Sequence, residues 1–194
     1  MSRFKHAVNS AHTKPWVERV GKIVVNFSGL ELESILWSLQ LSERPDQIRK
    51  FAEIPFAARV KQLMSMVEDR NINPKWRKAA LRTWNESLKL AIVRNQVAHN
   101  PIVFGWRTSA ELGEPDFIGI PNLRGSKSKS ADWSLSKGDA DRCIDEIVDV
   151  VKRVGGLRVE WCQVRDAGAA PPAHSRTSSV QALRRYIGKA FKRW

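Results

Sequence analysis

Apolar positions recur with a helical period over most of this chain, and four long stretches carry the pattern. Thr13 reads as an N-cap and Pro15 stands near the first helical position, so the first helix is expected to run to about Leu41. At about 100° per residue, Val20, Val24, Phe27, Ile35 and Ser38 share one stripe. Arg19, Lys22, Asn26, Glu33 and Gln40 gather opposite. Ile23, Val25, Leu30, Leu32, Leu36 and Leu39 widen the apolar surface, which predicts the most buried helix of the chain. Glu31 interrupts the stripe.

Arg44-Pro45-Asp46 restarts the chain and Ile54-Pro55 breaks it again, giving a short helix and then a longer one from about Phe56 to Arg70. Val60, Leu63 and Val67 face inward there, and Asn71 is the stop. Asn73-Pro74 pairs an N-cap with a first-turn proline and opens a third long helix, which Asn100-Pro101 ends. Trp76, Ala80, Trp84, Leu88 and Ile92 repeat every four residues and are read as its inner face. Residues 102–106 and 117–120 are short apolar runs between turn formers, a small hairpin. Residues 122–130 form a basic loop. Ser136 and Asp139 make a capping pattern for the last core helix, with Ala140, Ile144, Ile147, Val148 and Val151 inside. Gly155-Gly156 marks a kink, after which the pattern resumes through Trp161 and Val164.

The expected organisation is one helical domain over residues 1–165 with an insertion at about 101–135, a linker at 166–179 rich in Ala, Pro and Ser, and a terminal helix at 180–194. In that last segment Val180, Leu183, Ile187, Ala190, Phe191 and Trp194 lie within about 100° of arc, with Arg185, Lys189, Lys192 and Arg193 on the other side. Such a short helix needs a surface: a protein groove, RNA or an anionic membrane.

Charge sharpens the picture. The net charge is +13, and residues 1–100 hold 17 Lys/Arg against 9 Asp/Glu, residues 101–165 hold 10 of each, and residues 166–194 hold 6 against 1. A balance of this kind favours polyanion partners, nucleic acid first and anionic membrane second. Cys143 and Cys162 fall in one expected helix, roughly 28 Å apart at about 1.5 Å per residue, beyond disulfide reach, and read as reduced thiols. The N-terminal residues lack the apolar run of a signal peptide, and no apolar run reaches the roughly 20 residues of a membrane span, so a cytoplasmic protein is expected. Asp141, Asp145 and Asp149 align at helical spacing and read as a solvated face rather than a metal site. No phosphate-binding glycine loop, nucleophile elbow or zinc motif is present, and no cofactor is called for.

The candidate chemistry is in Arg94-Asn95-Gln96-Val97-Ala98-His99, at the end of the third long helix. Arg94 is a permanent cation suited to phosphate, and His99 is a proton carrier near neutral pH. His6, His12 and His174 fall near the chain's ends. The run resembles the Arg-x4–6-His motif of HEPN-domain ribonucleases, clearly over about residues 13–100 and loosely over residues 136–164. That resemblance implies an all-α antiparallel helical bundle of four or five helices that forms a homodimer, with two motifs meeting across the dimer cleft. It further implies metal-independent RNA cleavage. In it His99 moves the 2′-OH or 5′-oxygen proton, Arg94 holds the non-bridging oxygens, and Asn95 orients the phosphate or the histidine.

Glu31 and Asn100 are read as supporting residues. Glu31 either pairs with Arg94 or another arginine, the favoured reading, or stays wet at a helix end or dimer edge. The expected function is a homodimeric endoribonuclease of the toxin–antitoxin or phage-defence kind, with RNA as substrate and an antitoxin or other regulatory protein as a possible partner. The alternatives are a non-catalytic HEPN module binding RNA or a partner protein, and a peripheral membrane protein held by its last helix. A plainer account makes Arg94 a helix C-cap and His99 a surface residue.

Overall fold

The computed structural model describes residues 11–100, 102–105, 115–120 and 133–168. Over these the chain is all-α with one small antiparallel sheet. Helix α1 covers Lys14–Ser42, a 3-10 turn covers Pro45–Gln47, and α2 (Ile48–Glu53), α3 (Phe56–Glu68) and α4 (Pro74–His99) follow. Strands β1 (Val103–Gly105), β2 (Phe117–Ile120) and β3 (Trp133–Ser136) precede α5 (Lys137–Gly168). No helix of the described residues is long and apolar enough to cross a membrane. The basic loop, residues 169–179 of the linker and the terminal amphipathic helix lie outside the described residues.

The helix starts follow their local chemistry. The Thr13 carbonyl accepts from the amides of Trp16 and Val17 at 3.0 and 3.1 Å. Asn73 Oδ1 accepts from the amide of Lys75 at 2.9 Å, and Ser136 Oγ accepts from that of Asp139 at 3.2 Å. Each side chain or carbonyl satisfies a first-turn amide that has no partner inside its helix. α1 ends on Glu43, whose φ of 55° is left-handed, a conformation usually left to glycine at this position. Arg70 closes that end by donating to the Leu41 carbonyl and to Glu43 Oε1, the latter at 3.0 Å.

The residues group into two compact units. The first takes in Met1–Leu30 and Glu86–Val150. Its core holds Trp16, Ile23, Phe27 and Leu30 of α1, Leu90, Ala91 and Val97 of α4, and Ala140, Cys143, Ile147 and Val150 of α5. The sheet adds Ile118 and Leu135, which are paired across β2 and β3. Trp16 Nε1 donates to the Pro115 carbonyl at 2.6 Å, so this large side chain meets its one polar need inside. Arg19 lies over the Trp16 ring, 5.7 Å from its centroid, and pairs with Asp141 at 2.8 Å. The sheet runs in the order β1-β2-β3, one strand more than the expected hairpin. Gly105 faces Phe117 across β1 and β2, and a Cβ there would overlap the phenyl ring, so the aromatic needs a glycine opposite.

The second unit takes in Glu31–Asn85 and the chain from Val151 onward. Trp37 stacks on Trp76 at 5.3 Å, meets Trp84 edge-on at 5.8 Å and donates to the Val154 carbonyl at 3.2 Å. Trp161 lies 5.4 Å from Trp76, whose own Nε1 donates to the Leu157 carbonyl at 3.1 Å. Glu33 and Arg158 form a mostly buried two-pronged pair at 2.7 and 3.3 Å, with Glu33 seated beside Gly155. α5 runs continuously through Gly155-Gly156, where the sequence suggests a kink, and extends three residues into the expected linker.

The helix faces differ from expectation in an instructive way. On α1 the buried line is Trp16, Ile23, Phe27, Leu30, Trp37 and Leu41, rotated about 70° from the expected stripe, and Val20, Val24 and Ile35 are half-buried. The two tryptophans bury more apolar area than the valines and set the facing. On α4 the four-residue repeat drifts by about 40° per step, since a turn takes 3.6 residues. It leaves the core by Ile92, which is 62% exposed, while Ser87, Ala91 and Val97 take the inner line. On α5, Cys143, Val150 and Val154 are buried where Ile144, Val148 and Val151 were expected.

Arg59 is the most demanding buried group. Only 4% exposed, it donates Nε to Ser34 Oγ at 2.7 Å and Nη1 to the carbonyls of Phe51 and Ile54 at 2.7 and 3.0 Å. Burial pulls its guanidinium below the ordinary arginine value, and the charge of Glu31 pushes it back. Arg59→Leu removes three hydrogen bonds, those to the Ser34 hydroxyl and to the Phe51 and Ile54 carbonyls, and should cost about 2–4 kcal/mol in urea unfolding, whereas Ser34→Ala should cost about 1 kcal/mol. Equal, small losses would show that Arg59 does not fasten the end of α2.

Candidate functional site

Arg94, Asn95 and His99 come together at the C-terminal end of α4, in the first unit. An ideal helix separates positions i and i+5 by about 140° and 7.5 Å of rise, a gap only a long side chain can bridge. Arg94 bridges it. Its Nη1 donates to Asn95 Oδ1 at 3.0 Å and stands 3.5 Å from His99 Nε2. Arginine has no acceptor, so in this arrangement the facing ring nitrogen of His99 accepts. At 3.5 Å the contact is loose, which leaves the imidazole available to another partner.

Burial divides the three. Arg94 is half-buried, with its guanidinium carbon 5.5 Å from the centroid of the Phe27 ring, while Asn95 and His99 are exposed. The cation is therefore rooted in the core and the imidazole is presented to solvent. His99 is the last residue of α4, and the helix end there is finished by Asn100, whose Nδ2 donates to the backbone carbonyl and side-chain oxygen of Gln96, both at 3.0 Å. Asn100 thus acts on the backbone that carries His99, satisfying a carbonyl that a helix end leaves without a partner. Glu31 belongs to the second unit, where it is half-buried and its charge supports that of Arg59. Phe27 was read from the sequence as core alone, and its place beneath Arg94 is a long-range contact without a local signal.

Leu88, Ile92, Asn95 and His99 share one face of α4 by helical spacing, and Ile92 on that face is 62% exposed. Among its described residues the first unit carries 7 Lys/Arg against 8 Asp/Glu, and the second carries 14 against 9.

Other candidates carry less. Asp141, Asp145 and Asp149 are exposed, Asp141 is held by Arg19, and among the described residues no group of three His, Cys, Asp or Glu is placed to hold a metal ion. Both cysteines are free thiols. Burial, then the charge of Glu146, pushes the Cys143 thiol up to about 11 and keeps it protonated.

The division of burial predicts how the motif residues bear on stability. His99→Ala should shift the unfolding free energy by less than about 0.5 kcal/mol, as exposed positions do. Arg94→Ala should cost about 1–2 kcal/mol, because the stem and the ring contact are lost together. Thermal and urea unfolding check both, and equal losses would place His99 in the packing. Comparison with protein-family models, with curated proteins and with solved structures finds no match for this chain.

Proposed function

We propose that this chain is a HEPN-type endoribonuclease that cleaves RNA without a metal at a composite site formed by two copies of the Arg94/His99 motif. The observation that carries the reading is the convergence of Arg94, Asn95 and an exposed His99 on one helix end. A rooted guanidinium beside a presented imidazole suits phosphodiester chemistry. His99 takes the 2′-OH proton, the 2′-oxygen attacks phosphorus, the bond to the 5′-oxygen breaks, and the leaving oxygen regains a proton from an imidazolium. The products are a 2′,3′-cyclic phosphate and a 5′-hydroxyl end. Arg94 holds the non-bridging oxygens as their charge grows.

One histidine cannot be base and acid in the same step, so the two copies of His99 divide the roles across a dimer. Exposed Ile92, on the same helix face as His99, supplies apolar area for a second copy beside the motif. Service as a toxin or phage-defence nuclease, with an antitoxin or other regulator, extends the same family resemblance.

Arg94→Ala and His99→Ala should each lower cleavage of a single-stranded RNA about 10²–10⁴-fold with the fold retained, and EDTA should leave the rate unchanged. Cleavage that survives both substitutions, or that stops on chelation, defeats the assignment. RNA binding by the unaltered protein without any cleavage moves the reading to a non-catalytic binding module.

Light scattering at micromolar concentration should report about twice the 22.0 kDa chain mass. Ile92→Glu should shift the protein toward monomer and reduce cleavage in parallel. A fully active monomer rules out the shared site.

A further inference from the structure

A guanidinium that must meet phosphate has to be held without using the N–H groups that make the contact. An aromatic ring holds a cation through its negative face and occupies none of its N–H groups. Phe27 is placed to do this. It is 1% exposed in the core of the first unit, so its ring has no solvent to swing into, and the guanidinium carbon of Arg94 lies over it, 5.5 Å from the centroid. Nη1 of that guanidinium is then directed to Asn95 Oδ1 at 3.0 Å and His99 Nε2 at 3.5 Å. The ring sets where the cation sits, and Asn95 sets which N–H groups turn toward His99. Leucine or methionine in place of Phe27 would fill much of the same volume with no such directional attraction.

We infer that Phe27 is a positioning residue for the phosphate site, and that its ring holds the Arg94 guanidinium in register with His99 through cation–π attraction. The inference rests on the reading of Arg94 as a phosphate-binding group.

Fluorine on the ring weakens its negative face while nearly preserving its shape. The test therefore places 4-fluoro-, 3,5-difluoro- and 3,4,5-trifluorophenylalanine at position 27 of the full chain. With a single-stranded RNA oligonucleotide, kcat/KM should fall stepwise with fluorine number, by about tenfold across the series, while the melting temperature falls by less than in Arg94→Ala. Binding of a non-cleavable 2′-deoxy oligonucleotide should weaken in step, and the series should be flat in an Arg94→Ala background. Activity independent of fluorine number, or the same proportional loss of binding without Arg94, overturns the inference. If the unaltered protein cleaves no RNA, or Arg94→Ala costs no activity, the functional reading fails instead. The ring contact is still judged by nuclear magnetic resonance. The Arg94 Nε–H proton should be shifted upfield by the ring current and return in Phe27→Leu, and a resonance that stays in place overturns the positioning role.

Discussion

Trp37 is the side chain on which the second unit turns. From α1 it stacks on Trp76 and meets Trp84 edge-on, both of α4, and it donates its one N–H to a carbonyl of α5. Three helices therefore share a single indole whose polar and apolar needs are met at once. The facing of α1 follows from this, because a helix that must bury Trp37 cannot also turn Val24 and Ile35 fully inward. Ser34 and Ser38 are carried into the interior on the same face, and each returns its hydroxyl to a carbonyl of its own helix at 2.7 Å. The buried Ser34 hydroxyl is then available to Arg59, which fastens the end of α2.

The motif region works on the opposite principle. Its residues sit at a helix end, where the backbone no longer constrains every side chain to a lateral direction, and Arg94 has the length to reach across the missing arc. The core supplies an aromatic under the cation, and the last turn supplies an amide, Asn100, that keeps the helix from fraying beneath His99. Burial lies under the arginine and exposure lies on the histidine.

What was legible in the sequence is what local chemistry decides. The all-α class, the starts at Thr13, Asn73 and Ser136 and the two strands around Phe104 and Ile118 all follow from caps, turn formers and periodicity within a few residues. β3 was not legible, because Trp133-Ser134-Leu135-Ser136 is four residues long and runs straight into the cap of α5. The facing of the long helices was only partly legible. Each has more apolar surface than one core can take, and the choice among stripes belongs to partners distant in the chain. For the candidate site, Arg94, Asn95 and His99 were named through the resemblance of their run to the HEPN motif, whereas Phe27 lies 67 positions from Arg94 and carries no mark of that contact.

The charges of the two units have a consequence of their own. The described part of the unit holding His99 is close to neutral, and the excess cations belong to the other unit. General attraction for polyanions grows with accumulated cations, whereas the chemistry proposed at the motif needs one guanidinium and one imidazole. Grip and reactivity are thus written in separate sets of residues. Retention on a heparin or phosphate matrix reports the first set and says nothing of the second. Lysines can be gained or lost over generations to tune general attraction for polyanions while Arg94 and His99 stay untouched.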